Sequence, residues 1–224
     1  MAKGAQSEVR IKAGMVDLEG ELALPESPLG LVLFAHGSGS SRHSPRNGYV
    51  AHALQEGRLG TLLMDLLTPA EDQIDSRTAE LRFNIELLAE RVIAAVDWAG
   101  SHPALQGLKV GLFGASTGAA AALVAAAGRP AQVIAVVSRG GRPDLAGMAL
   151  PQVRAATLLI VGGGDPTVLE LNREALRELR GEKELKILPG ATHLFEEPGA
   201  LEEVSRLAQE WFVRHLGRQN TNAA

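Results

Sequence analysis

The chain has 224 residues and a mass of 23.6 kDa, with 46% apolar and 21% charged side chains, enough to bury a sizeable core. Its 22 basic and 26 acidic residues leave a formal charge of −4, and aromatics make up only 4%, which excludes a nucleic-acid binder built on phosphate neutralisation and base stacking. Cysteine is absent, so disulfides, zinc–thiolate sites and thiol nucleophiles are excluded together.

In chain order, Val9–Lys12 and Val16–Leu24 alternate apolar and polar residues around a Gly14 turn and predict an antiparallel hairpin at a sheet edge. After Pro28 the run 29–35 is almost wholly apolar, as expected of a central strand buried on both sides. A helix is predicted from about Asn47 to Arg58, then a strand over Gly60–Asp65. The acid-rich stretch 71–75 reads as a solvated loop, followed by one long amphipathic helix over Thr78–Ser101 with Glu86 and Glu90 on its polar face. Strand Lys109–Phe113 leads into an Ala-rich helix, Ser116–Ala127, closed by Gly128 and Pro130. Strand Val133–Val137, a loop over Ser138–Pro143, strand Thr157–Val161, helix Val168–Arg180, strand Leu185–Leu188 and a closing helix Leu201–Leu216 complete the pattern.

This alternation predicts an α/β fold: a mostly parallel, twisted eight-stranded sheet with helices on both faces. One domain over residues 1–217 is expected, with 218–224 a disordered tail. The N-terminus lacks the apolar core of a signal peptide, and no apolar run approaches the roughly 18–20 residues that span a bilayer. The expectation is a cytoplasmic protein with no membrane or nucleic-acid partner; a homo-oligomer is left open.

The chemistry concentrates at residues 110–120, where Gly114-Ala115-Ser116-Thr117-Gly118 forms a G-x-S-x-G motif between a buried strand and a small-residue helix. So sharp a turn leaves no room for side chains at Gly114 and Gly118, and it presents Ser116 at the carboxyl edge of the sheet above a helix N-terminus. A nucleophilic serine needs a base later in the chain. Only His193 and His215 follow; His215 sits near the end of the last helix, whereas His193 lies in a loop after the final strand. The aspartates between Ser116 and His193 are Asp144 and Asp165. Asp165 leaves the end of a strand and can orient the imidazole, although it also suits a helix N-cap ahead of Pro166. Asp144 is the fallback. The Gly-rich run His36-Gly37-Ser38-Gly39-Ser40 follows the central strand and can supply an oxyanion donor from Ser38, with Thr117 supplying the other. His36 reads as a structural hydrogen-bonding residue.

These residues resemble the α/β-hydrolase superfamily over nearly the whole chain. The H-G-x-G loop at 36–39, the elbow at 114–118, Asp165 and His193 stand in its order. Size and the lack of a long insertion look like the dienelactone hydrolase-related group. Two features depart from dienelactone hydrolases proper: Ser116 stands where those enzymes carry cysteine, and the H-G-S-G-S loop is not theirs. The resemblance therefore implies a serine hydrolase of carboxylic esters or lactones, with a Ser116–His193–Asp165 triad and no metal or organic cofactor. It does not imply dienelactone as the substrate. An acyltransferase on the same residues, or a hydrolase-fold binding protein, are the rival readings.

No G-x-x-x-x-G-K-[ST] accompanies Gly162–Gly164, G-x-G-x-x-G spacing is not met, and His36, His43 and His52 are too scattered for a metal site. Arginine outnumbers lysine 17 to 5, and Arg42, Arg46, Arg77, Arg139 and Arg142 all fall in loops expected at the carboxyl edge. Together with Gly37, the arginines at 42, 46, 139 and 142 are candidate substrate-binding residues for an anionic group, the alternative being local pairing with Asp144 and the acids at 71–75. Only about 19 residues separate Val137 from Thr157, where a lid is often inserted, so no large lid and a preference for short acyl groups are expected.

Overall fold

The computed structural model describes residues 5–217; the expected tail at 218–224 lies outside them. The apolar run after Pro28 forms β3 (Leu31–Ala35), and its period of two splits it cleanly. Leu31, Leu33 and Ala35 enter the core on one face of the sheet, while Val32 and Phe34 enter the core on the other. The remaining strands are β1 (Ala5–Ala13), β2 (Val16–Leu24), β4 (Gly60–Met64), β5 (Val110–Ala115), β6 (Val133–Arg139), β7 (Ala156–Gly162) and β8 (Lys183–Leu188). They form one open eight-stranded sheet in the order β1-β2-β4-β3-β5-β6-β7-β8. β1–β2 and β2–β4 pair antiparallel and every other pair is parallel. The expected sheet is observed; β1, β5, β6, β7 and β8 are longer than the sequence pattern indicates, β2 matches it, and β3 and β4 are shorter.

Helices α1 (Pro45–Glu56) and α6 (Ala200–Leu216) cover one face, packing Val50, Leu54, Val204, Ala208 and Phe212 onto it. Helices α3 (Ile85–Ser101), α4 (Thr117–Gly128) and α5 (Pro166–Glu178) cover the other. The alanines of α4 are buried along most of its length, and their small size brings its axis close to the sheet. The outer strand β8 carries Lys183, Glu184 and Lys186, charges that discourage pairing with another strand. No helix among the described residues is long and apolar enough to cross a membrane.

Two neighbouring elements between β4 and β5 depart from the expectation. The acid-rich stretch is helical: α2 (Pro69–Thr78) opens with a capping box in which Thr68 Oγ1 accepts from the Glu71 amide and Glu71 accepts from the Thr68 amide. Thr68, with Pro69 behind it and Glu71 three residues on, is a legible start signal that the run of acids obscured. The long helix does not begin at Thr78. Ala79 ends α2 in the left-handed region at φ 56°, a 3₁₀ turn follows over Leu81–Phe83, and Asn84 caps α3 by accepting from the Leu87 amide. Asp75 causes the break. Buried, it accepts from the amides of Leu81 and Arg82 at 2.8 and 2.9 Å and from Arg82 Nε at 2.6 Å, which folds the chain back on itself.

Burial alone raises the Asp75 carboxyl, but the Arg82 amide and guanidinium and the Leu81 amide outweigh it and hold the group below its ordinary range. A depressed carboxylate stabilises the folded state fully above its ordinary pKa, and that contribution is lost as pH falls through the lowered folded value. Hydrogen-exchange protection across residues 79–84 is therefore expected to drop on acidification before that of the β3–β5 strands. Asp75→Asn should reproduce the loss at neutral pH; protection that is indifferent to both would contradict the role of this carboxylate.

Candidate active site

Six parallel strands, β3 to β8, deliver their carboxyl ends to one rim, and the predicted residues lie along it. β5 passes into α4 through Ser116, whose backbone sits at φ 50°, ψ −122°, a region that non-glycine residues rarely occupy and that costs on the order of 1–3 kcal/mol. Three hydrogen bonds hold it: the Ser116 amide donates to Arg139 O (3.3 Å), and the amides of Ala119 and Arg142 donate to Ser116 O (3.1 and 3.0 Å). A Cβ at Gly118 would collide with the backbone oxygens of Ala35 and His36, and one at Gly114 with the backbone of Ala119. Gly37 is constrained from the opposite side, since a Cβ there would lie 3.0 Å from that of Ser116. The strained serine is thus wedged between a helix pressed onto β3 and a glycine of the following loop. It is partly exposed, while its neighbours on both sides are buried.

Asp165 and His193 come together from β7 and β8. His193 Nδ1 lies 2.8 Å from Asp165 Oδ2. The other carboxylate oxygen, Oδ1, accepts from the Val168 amide at 3.3 Å, so both roles foreseen for Asp165, helix cap and imidazole partner, are met by one side chain. The His193 loop is pinned at two points: Glu197 accepts from the amide and hydroxyl of Thr192 at 3.0 and 2.6 Å, and Phe195 is fully buried at φ 56°. Asp144 is occupied elsewhere, taking a two-point pair from Arg142 Nε and Nη2 at 2.9 and 2.8 Å. His215 packs inside α6 against Trp211, with ring centroids 4.6 Å apart.

The loop after β3 adjoins the elbow, with Ser38 Oγ and Thr117 Oγ1 3.0 Å apart. Thr117 opens α4, so its amide belongs to the helix end that has no intrahelical acceptor. His36 is structural, as expected. Its Nε2 accepts from the Leu66 amide at 3.1 Å, which leaves Nδ1 to carry the hydrogen facing Gly37 O at 2.9 Å. Burial pushes this imidazole below its usual range, consistent with a neutral ring. His43 is exposed. Among the described residues, no group of three or more histidines and carboxylates converges to hold a metal ion.

A cleft of about 200 Å³ opens beside Ser38 and Thr117, walled by Leu66, Leu67 and Leu88 and by the polar groups Asp65, Asp72, Asp75 and Arg82. Its outer wall is α2 and the 3₁₀ turn. The connection between β6 and β7 holds only a 3₁₀ segment, Pro143–Gln152, so there is no large lid. Arg82 was not foreseen: its guanidinium approaches Gly39, and its carbonyl accepts from Ser38 Oγ at 3.4 Å. Asn172 was also missed. Its Nδ2 donates to Gly141 O at 3.0 Å and Val168 O at 2.8 Å, tying α5 to the loop beneath Ser116. Neither lies in a motif, and only folding brings them to the rim.

The arginines divide. Arg42 is paired with both Asp65 and Glu19, and Arg142 with Asp144, so each of these two candidates already has a carboxylate partner within the chain. Arg77 is exposed on α2. Arg46 pairs with Glu196 at 3.0 Å, and Arg139 is buried.

The chain matches the dienelactone hydrolase family over residues 47–215 and belongs to it. It is similar to a dienelactone hydrolase structure from Anabaena variabilis, with 58% identity, a TM-score of 0.94, and coverage of 96% of this chain and 99% of that one. Est1E from Butyrivibrio proteoclasticus shares the fold at 16% identity, with a TM-score of 0.78 over 94% of this chain and 99% of its own. Two Mycobacterium tuberculosis proteins that bear the provisional name phosphoribosyl transferase are 56% identical over 93% of this chain. The chain spans 46%, about half, of the length of those relatives. Family and fold together give the chain the α/β architecture of dienelactone hydrolase relatives.

The elbow's packing gives a direct test. Gly118→Ala forces the first turn of α4 away from β3 and should cost at least about 2 kcal/mol in chemical denaturation, because the obstacle is backbone rather than a side chain that can turn aside. The same exchange at Gly48, where a Cβ meets nothing within 4 Å, should cost far less.

Proposed function

We propose that this protein hydrolyses carboxylic esters, or lactones, of small short-acyl substrates through an acyl-enzyme on Ser116. The observation that carries the reading is the 2.8 Å contact of His193 Nδ1 with Asp165, at the same carboxyl rim of the sheet as a serine held at a strained strand–helix turn. In this scheme Ser116 Oγ attacks the ester carbonyl while His193 Nε2 takes its proton. The amides of Ser38 and Thr117 receive the developing oxyanion, a single well-placed donor being worth about 3–4 kcal/mol. As the tetrahedral intermediate collapses, the imidazolium gives its proton to the departing alcohol oxygen. Water then enters on the same side, gives a proton to His193 and bonds to the acyl carbon; as the Ser116 Oγ–acyl bond breaks, the imidazolium returns that proton to Ser116 Oγ and the acid departs. Asp165 fixes the imidazole tautomer and stabilises the imidazolium. The transferase name of the mycobacterial relatives applies to chains about twice as long, and no residue of this site calls for it.

A fluorophosphonate probe should label Ser116, and Ser116→Ala should abolish labelling and lower kcat on the order of a million-fold. Asp165→Asn is the more informative variant. Asparagine caps a helix as well as aspartate does, so stability should hold while kcat falls on the order of 10⁴-fold. Normal turnover in that variant would remove Asp165 from the mechanism.

The small, partly polar cleft supports a bound on acyl length. Acyl chains of roughly two to six carbons should turn over faster than those of twelve to sixteen, with no rate jump at a lipid interface, because the cleft offers little apolar surface to a long chain. Faster cleavage of the long esters would overturn this bound.

A further inference from the structure

Arg139 is anomalous. It is 8% exposed, and Nε and Nη1 are cut off from solvent with no hydrogen-bond partner among the described residues. Among the described residues no carboxylate pairs with it; the charge that acts on it is another guanidinium, Arg46, and burial together with that neighbour pushes Arg139 down to about 10. A buried, unpaired cation is among the costlier features a fold can carry, so its surroundings call for a negative group that the chain itself does not supply.

The position of this charge is informative. Arg139 ends β6 two residues beyond Val137, whose side chain lies in the core beneath α1 and α6, so Arg139 points to that same face. Its backbone oxygen accepts from the Ser116 amide. Arg46 stands in the first turn of the 12-residue α1, capped by Ser44, where the helix dipole also favours an anion. Arg46 Nε is likewise buried without a partner, and its Nη1 bonds Glu196 in the His193 loop, a carboxylate that is largely exposed. Gly140, next to Arg139, backs directly onto His193: a Cβ there would lie 3.0 Å from His193 O and 3.6 Å from Nδ1. The two guanidinium groups thus flank the histidine loop, whereas the 200 Å³ cleft adjoins Ser38 and Thr117.

We propose that Arg139 and Arg46 form an anion subsite on the His193 side of Ser116 that receives an oxyanion, carboxylate or phosphate, carried by the alcohol portion of the ester. This rests on the hydrolase reading above. The side follows from the chemistry: the group that protonates the departing alcohol must stand next to it, so whatever flanks His193 faces the leaving group, and the acyl portion is left to the cleft. A planar guanidinium with two free N–H directions suits either oxyanion as a two-point ligand. The two arginines first expected to serve alongside them, Arg42 and Arg142, are spent on internal carboxylates and take no part.

The test uses three esters of one acyl group: phenyl acetate, 3-carboxyphenyl acetate and 3-acetoxyphenyl phosphate. Monophenyl succinate, with its carboxylate on the acyl side, is the positional control. The charged-leaving-group esters should exceed phenyl acetate in kcat/KM by roughly tenfold or more, as expected of a charge-assisted hydrogen-bonded pair, and the larger ratio identifies the preferred oxyanion. Arg139→Met and, separately, Arg46→Met should collapse that ratio towards one through KM. A ratio near one in the wild type, a ratio that survives both substitutions, or a preference confined to monophenyl succinate would overturn the proposal. Inorganic phosphate gives a readout independent of turnover: it should raise the melting temperature of the wild type and leave that of Arg139→Met unchanged. Equal shifts in both proteins would count against the subsite. Failure of the hydrolase reading looks different, as neither phenyl acetate turnover nor fluorophosphonate labelling of Ser116 would be seen, whatever phosphate does.

Discussion

The close approach of α4 to the sheet governs the rest of the site. Gly118 lies against the backbone oxygens of Ala35 and His36, and Gly114 against the backbone of Ala119, so helix and strands meet with no side chain between them. A chain that must leave β5 and enter a helix so close by has few routes, and the one taken forces Ser116 to φ 50°. The cost is met by the alanine face of α4, buried almost end to end, and by the amides of Ala119 and Arg142 that lock the serine carbonyl. Strain, exposure of the hydroxyl and availability of the Thr117 amide are three results of one packing decision.

Around that fixed point the fold distributes labour between its faces. The loop from β3 and the α2 segment bound the cleft beside Ser38 and Thr117, while β6, α1 and the loop after β8 bound the histidine side. Each rim loop is tied by a side chain rather than by regular structure. Asp75 folds back the chain after α2, Asn172 holds Gly141, Glu197 holds Thr192, and Arg46 joins α1 to Glu196. Such tethers let loops of irregular backbone position groups with the steadiness of the sheet.

The rim arginines show how little a residue type says without its partners. Arg42, Arg46, Arg139 and Arg142 stand on strand ends or the loops and helix turn that follow them, yet they have different electrostatic fates. Arg42 and Arg142 are neutralised by neighbouring carboxylates, Arg46 is half-committed to Glu196, and Arg139 is buried with only another cation for company. Desolvation makes the last case energetically distinct from the others, and nothing at position 139 in the sequence marks it.

What the sequence determined by itself was whatever depends on local pattern. The period-two strands, the Ala-rich helix after β5, the G-x-S-x-G turn and the elimination that left His193 all follow from short-range rules, and the sheet and the dienelactone hydrolase family bear out the architecture they imply. Local pattern was insufficient where a buried side chain competed with it: the acids at 71–75 read as solvent-facing, but Asp75 recruits the amides of Leu81 and Arg82, and the long helix expected from Thr78 begins only at Ile85. Only the tertiary structure decided that Asp165 and not Asp144 meets His193, that Asn172 and Arg82 reach the rim, and which guanidinium has no counter-charge. These are pairings across 28 residues or more, or the lack of one, and whether a charge is paired depends on what the fold buries beside it, which no spacing along the chain encodes.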